Sequence, residues 1–179
     1  LVRVSRSVWG LDAPVSVFAA QVHTESWWRN DTVSPAGAQG LAQFLPSTAT
    51  WLPRAVPDLE REAGPAAPFN PAWALRALVS YDKWLWDRVE GEGGCQRMAF
   101  ALSAYNGGIA WVGRDRKEAA RRGYRPGRWF GHVEEVNAGR RASAFRENRR
   151  YVRLILLERQ YWYERAGWGP TLPCGEAAR

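Results

Sequence analysis

Apolar positions along this chain recur at three- and four-residue steps, and almost nowhere at the two-residue alternation of a half-buried strand. The pattern predicts a first helix over about 13–26, with Asp12 as its N-cap and Pro14 in its first turn. Phe18 and Val22 lie on its apolar face, and Glu25 follows three positions after Val22. That spacing puts a carboxyl group on the inward stripe at the helix's C-terminal end. Residues 27–38 are polar and turn-rich, with Ser34-Pro35-Ala36-Gly37, and suit a short β-hairpin or an irregular loop. Gly40 to Leu45 reads as the start of a further helix, Pro46 to Trp51 as another helical segment, and 53–68 as loop. Asn70-Pro71 opens the clearest helix, over 71–89, by an N-cap and a first-turn proline, with Leu75, Leu78, Tyr81 and Leu85 sharing a face. Gly91 to Gly94 breaks it. Gln96 to Tyr105 is a compact apolar helix stopped by Asn106-Gly107-Gly108. Residues 113–131 read as a basic surface loop with short helical pieces, 146–165 as a last helix with Tyr151, Leu154, Ile155 and Tyr161, and the tail beyond Gly167 as surface-lying. The fold class expected is mainly α, with at most a small hairpin.

Composition narrows this. A length of 179 residues suits one domain with a sizeable core, and 46% apolar residues exclude a disordered chain. Every long apolar stretch is broken by Arg, Asp or Glu, so no membrane span is expected. Leu1 to Gly10 carry two arginines and no apolar run, so no intact signal peptide is expected. The formal net charge is +7, and residues 113–153 hold 13 Lys and Arg against five Asp and Glu. Such a balance implies an anionic partner, for which nucleic acid and a bacterial cell wall both qualify. Eleven tryptophans supply core bulk and faces that stack on sugars. Cys95 and Cys174 leave two readings open, a disulfide that ties down the tail or two free thiols. His23 and His132 lie far from both cysteines in sequence, and no metal-ligand spacing is visible.

Cleaving a glycosidic bond requires a proton donor for the leaving oxygen, and a carboxylic acid does this near neutral pH only in an apolar setting. Glu25 is the candidate, at the end of an apolar helical face and followed by Trp27 and Trp28. By periodicity alone a solvated helix-end glutamate is the commoner outcome.

Three blocks carry a resemblance. Glu25-Ser26, then Ser34-Pro35-Ala36-Gly37-Ala38 and Gly40-Leu41-Ala42-Gln43 with Pro46, Thr48 and Ala49, resembles the first motif block of the soluble lytic transglycosylase (SLT-type) catalytic domain. Ala104-Tyr105-Asn106-Gly107-Gly108 resembles that family's second block, and Glu147-Asn148-Arg149-Arg150-Tyr151-Val152 its third. The blocks keep the family's order and span about 9–163 of a chain read as a single catalytic domain. The resemblance implies a lysozyme-like, mainly α fold with a cleft between helical lobes. It implies Glu25 as catalytic acid/base, and Ser34, Gln43, Leu45, Tyr105, Asn106, Glu147 and Tyr151 as substrate-binding residues. Ala42 and Leu45, where the family often has Met, and Asn148, where it often has Thr, depart from the pattern.

The activity implied is cleavage of the β-1,4 bond between N-acetylmuramic acid and N-acetylglucosamine in peptidoglycan, leaving 1,6-anhydromuramoyl ends. Hydrolases of glycosides normally use two carboxylates. Here Ala36 to Phe44 contains neither Asp nor Glu, and the nearby carboxylate in sequence is Asp31. The alternatives are a goose-type-like muramidase with Asp31 as base, and an inert peptidoglycan-binding module. The resemblance implies no cofactor and no metal. It implies peptidoglycan strands as partner, no specific nucleic acid, a monomer, and a periplasmic or extracellular site reached by bacterial export or phage delivery.

Overall fold

Pro14 has no N–H to leave unsatisfied and is itself buried, and the helix that follows it carries nine buried residues in twelve. In the computed structural model, described here for residues 1–175, this is α2 (Val15–Ser26). Pro14, not Asp12, occupies its N-cap position, and no side chain caps it. It is preceded by α1 (Val2–Trp9), which the sequence pattern does not predict. The others are α3 (Pro46–Ala55), α4 (Pro57–Ala63), α5 (Pro71–Trp86), α6 (Gly94–Gly107), α7 (Ile109–Arg121), α8 (Ala142–Arg153) and α9 (Gln160–Arg165). A 3-10 turn covers Val133–Glu135, and a π-helical turn covers Leu154–Arg159. The fold is mainly α. Among the described residues, β structure is confined to isolated bridges, Val33 to Gln39 and Gln39 to Phe44.

The chain falls into two compact units, one of residues 1–84 with 160–171, the other of residues 85–159 with 172 onward. In the first, α2 packs between α1 and α9. Phe18 meets the Trp9 ring at 5.2 Å, and Trp9 Nε1 donates to the Val79 carbonyl at 3.0 Å. Asn70 caps α5 as its sequence predicts, its Oδ1 accepting from the N–H groups of Ala72 (2.9 Å) and Trp73 (3.3 Å). Trp73, Ala77 and Leu78 are buried along that helix.

The second unit is built on α6, whose residues Met98 to Ala104 are all buried. α7 and α8 pack against it. Phe100 meets the Trp129 ring edge-on at 5.5 Å. Gln96 Oε1 accepts from the Trp129 and Phe130 N–H groups at 2.7 and 3.1 Å, which fixes the 129–136 segment.

Several local expectations are corrected. Gly40 to Leu45 is not helical, because Gly40 and Gln43 both sit in the left-handed region (φ 70° and 48°). The predicted loop over 53–68 holds the end of α3 and all of α4. The basic stretch is a continuous helix, α7, only as far as Arg121, and 122–131 is turn and loop as expected. The inward stripe of α7 is Val112, Asp115 and Ala119, and the polar member hides the periodicity. The last predicted helix begins a turn earlier, at Ala142, and passes through the π turn before α9. That turn changes the helical register, so that Ile155, Leu156 and Gln160 are all buried.

Cys95 and Cys174 form a disulfide with Cα atoms 5.3 Å apart, which decides between the two readings left open by the sequence. Both belong to the second unit. The bond closes a loop of 79 positions, so replacing both cysteines by serine should cost about 2–4 kcal/mol in a urea titration. A loss below about 0.5 kcal/mol would contradict this.

Candidate functional site

The first unit holds Glu25, Ser34, Gln43 and Leu45; the second holds Tyr105, Asn106, Glu147 and Tyr151. Glu25 lies in the last turn of α2 and is half-buried. The buried Ser26 hydroxyl, next in sequence, points to the Leu41 carbonyl at 3.0 Å and to Val22 O at 3.3 Å. This contact ties the helix end to the 33–44 loop and explains a serine directly after the glutamate.

The loop itself is folded by its own backbone. Gly40 N–H donates to Thr32 O at 2.9 Å, and Gln39 N–H donates to Phe44 O at 2.9 Å. Gln43 spends its Nε2 on Gly40 O (2.9 Å) and Thr32 O (3.3 Å). Ser34 Oγ accepts from Ala38 N–H at 3.0 Å, which is turn chemistry, and its own O–H remains to donate. Gly40 is required twice over. Its φ is +70°, and a Cβ there would overlap the Pro68 carbonyl, with the carbonyl carbon at 2.8 Å. Leu41, Ala42 and Phe44 are buried, while Leu45, at the start of α3, is 43% exposed.

Directly after Ser26, both Trp27 and Trp28 adopt left-handed backbone (φ 54° and 63°), which costs bulky residues about 1–2 kcal/mol apiece. The surroundings hold them there. Trp28 Nε1 donates to Tyr163 Oη at 2.6 Å, and Tyr163 Oη lies 3.1 Å from His23 Nδ1. Both ring contacts bind the end of α2 to α9. Trp27 packs on the His23 ring at 4.6 Å and is still 65% exposed.

A residue absent from the sequence predictions lies beside Glu25. Asp82, on α5, is fully buried, and Gln21 Nε2 donates to its Oδ1 at 3.3 Å. Burial pushes the Asp82 carboxyl well above the usual carboxylate range; the Gln21 hydrogen bond opposes this and the Glu25 charge adds to it. Tyr81, next in the chain, is also raised, by burial first and then by Asp82. The signal was present: Asp82 continues the Leu75, Leu78, Leu85 stripe, so a carboxylate stands at a core position. Asp31, by contrast, is exposed.

In the second unit, the Tyr105-Asn106-Gly107 end of α6 is locked to α8 by Asn148, which is fully buried. Asn148 Nδ2 donates to Ser103 O and to Asn106 Oδ1, both at 2.9 Å, and its Oδ1 accepts from Ser103 Oγ at 2.8 Å. A threonine has too few polar atoms for all three bonds, which gives Asn148 a structural reason. Beneath it, Arg140 and Arg149 both donate to Asp115 Oδ2, at 2.8 and 2.9 Å. Burial lowers the Arg149 pKa from its ordinary value, and Asp115 works against that shift. A Cβ at Gly107 would collide with Arg140 Nη1. Tyr105 and Asn106 are half-buried, Glu147 is exposed between Arg146 and Arg150, and Tyr151 is 6% exposed, its ring in the packed interior. Among the described residues, no group of three or more His, Cys, Asp or Glu is placed to hold a metal ion. No helix among them is long and apolar enough to cross a membrane.

This is a helical domain of the lysozyme-like class. The structure matches that of the 70 kDa soluble lytic transglycosylase of Escherichia coli with a TM-score of 0.60 at 24% identity, over 94% of this chain and 24% of that one. Residues 9–126 match the model of the transglycosylase SLT domain, and the chain belongs to that family. It is 28% identical over 167 residues to the soluble lytic murein transglycosylase of Escherichia coli K12. It is 29% identical over 159 residues to that of Salmonella typhimurium. These alignments take in 91% and 86% of this chain, but the chain spans only 23% and 21% of the length of those relatives.

Proposed function

We propose that this chain is a peptidoglycan lytic transglycosylase in which Glu25 is the single general acid/base. The observation that carries the proposal is a half-buried glutamate at the end of α2, clamped through Ser26 to the loop that bears Ser34, Gln43 and Leu45. Family membership and the likeness to murein transglycosylases supply the substrate class.

Glu25, protonated, gives its proton to the oxygen between N-acetylmuramic acid and N-acetylglucosamine as that bond breaks. The muramoyl N-acetyl oxygen bonds to C1 in the same step and balances the charge left there. The Glu25 carboxylate then removes the proton of the muramoyl C6 hydroxyl. That oxygen displaces the N-acetyl oxygen at C1 and closes the 1,6-anhydro ring. Glu25 ends protonated, and neither water nor a cofactor is consumed. A fully buried Asp82 offers no oxygen to a sugar, which supports a one-carboxylate route. Ser34, Gln43, Leu45, Tyr105, Asn106, Glu147 and Tyr151 bind the strand in this reading, Tyr151 from a largely buried position.

The net charge of +7 favours attraction to the anionic wall. The disulfide fits an oxidising compartment, periplasmic or extracellular. Digestion of purified sacculi followed by mass spectrometry tests the reaction, with 1,6-anhydromuramoyl ends expected. Reducing-end muropeptides in their place would assign a muramidase, and no release of muropeptides would assign a binding module.

A further inference from the structure

Asp82 has no part in the chemistry above, yet a fully buried carboxyl group needs a reason. Gln21 Nε2 donates to its Oδ1 across 3.3 Å. Among the described residues, its other oxygen, Oδ2, has no hydrogen-bond partner, and neither does Gln21 Oε1. Two unmatched acceptors thus belong to a single side-chain contact in the core. As an anion, Asp82 can only accept, so the mismatch stands. One proton on Oδ2 supplies the donor that both oxygens lack, and a carboxylic acid then meets a primary amide with one donor and one acceptor on each side.

The groups that face this pair favour the protonated form. From α2 it receives the repulsion of Glu25, while Tyr81, its neighbour on its own helix, stays a neutral phenol that burial and Asp82 both hold above its ordinary pKa. Lys83, next in the chain, carries its ammonium over the Trp9 ring, 5.9 Å from the centroid. His23, the other titratable group of α2, turns to Tyr163. Gln21 and Glu25 are four residues apart and so share a face of α2. Fixing the Gln21 amide to α5 therefore fixes the turn that presents Glu25.

We propose that Asp82 is held as a neutral acid paired with the Gln21 amide, and that this buried pair is a positioning device for Glu25. The positioning role rests on the function proposed above; the protonation state does not.

Melting the whole chain from pH 4 to 9, as wild type, Asp82→Asn and Asp82→Ala, tests both parts. Asparagine offers the same donor and acceptor at every pH. In the wild type the proton is bound by the folded chain and lost by the unfolded one above pH about 4. Its stabilisation is therefore complete below that pH and is lost as pH rises through the folded-state value. The Asp82→Asn variant should accordingly gain on the wild type by roughly 3–5 °C for each pH unit above 4, until Asp82 itself ionises. Curves that run parallel across the range would overturn the neutral acid. For positioning, amide exchange over 21–26 should quicken in Asp82→Ala and be restored in Asp82→Asn. The alanine variant, assayed well below its melting point, should lose about ten- to a hundred-fold in kcat with KM unchanged, and asparagine should recover most of it. Wild-type exchange and turnover in Asp82→Ala would overturn the positioning role. If Glu25→Gln still cleaves, the proposed function fails while the melting and exchange results stand on their own.

Discussion

Glu25→Gln should lose at least about 10³-fold in the release of muropeptides from purified sacculi, because glutamine has the shape of glutamic acid but no proton to give. Both proposed steps, protonation of the leaving oxygen and deprotonation of the C6 hydroxyl, pass through this one carboxyl, so no partial route remains. The surroundings should be unaffected. Ser26 still reaches Leu41 O, Tyr163 still holds Trp28, and the 33–44 loop is folded by its own backbone. The melting temperature should therefore stay within a few degrees of wild type, and binding to insoluble sacculi should persist in a sedimentation assay. A loss of less than tenfold in release would remove Glu25 from the chemistry, and a loss of sedimentation would mean that the substitution damaged the strand-binding surface.

The largest stability effect is expected from Asp115→Ala. Asp115 is fully buried, and its Oδ2 takes hydrogen bonds from two guanidinium groups whose side chains are 4% and 9% exposed. Its Oδ1 accepts from Ala138 N–H at 3.1 Å. Truncation leaves two cations in the core without the anion between them, a change that costs about 3–5 kcal/mol when a single buried pair is broken. For a chain of this length that is a fall of roughly 10 °C in melting temperature. Asp115→Asn keeps the Ala138 acceptor and loses the charge, and should fall between the two. The consequence reaches the second motif block, since Arg140 packs against Gly107 at the end of α6. Near-native melting of Asp115→Ala would show that the core tolerates both guanidinium groups without this anion, Arg149 being held by the carbonyls of Glu134, Val133 and Val136.

Much of the candidate site was legible in the chain. The block Ala104 to Gly108 ends a helix where predicted, with Gly108 at φ +93°. Asn70 caps α5, and Glu25 falls in the last turn of α2 behind a buried Phe18 and Val22. Each of these depends on neighbours within about four residues, and such spacings are visible as pattern. The partners of the buried polar residues were not legible, even where, as at Asp82, the spacing marked an inward position. Asp82 and Asp115 occupy inward positions of α5 and α7, where a carboxylate breaks the apolar stripe and reads as solvent-facing. The reading of 113–121 as loop follows directly from that.

Local sequence therefore determined the helical class, the helix that carries Glu25, the turn chemistry around Ser34 and the family motif blocks. Partners far apart in the chain were decided by the tertiary structure alone. Gln21 meets Asp82 across 61 positions, Ser103 meets Asn148 across 45, and Cys95 meets Cys174 across 79. A buried polar group is tolerated only where packing delivers its complement, and that complement is fixed by which helix faces close on one another. No spacing along the chain records that choice.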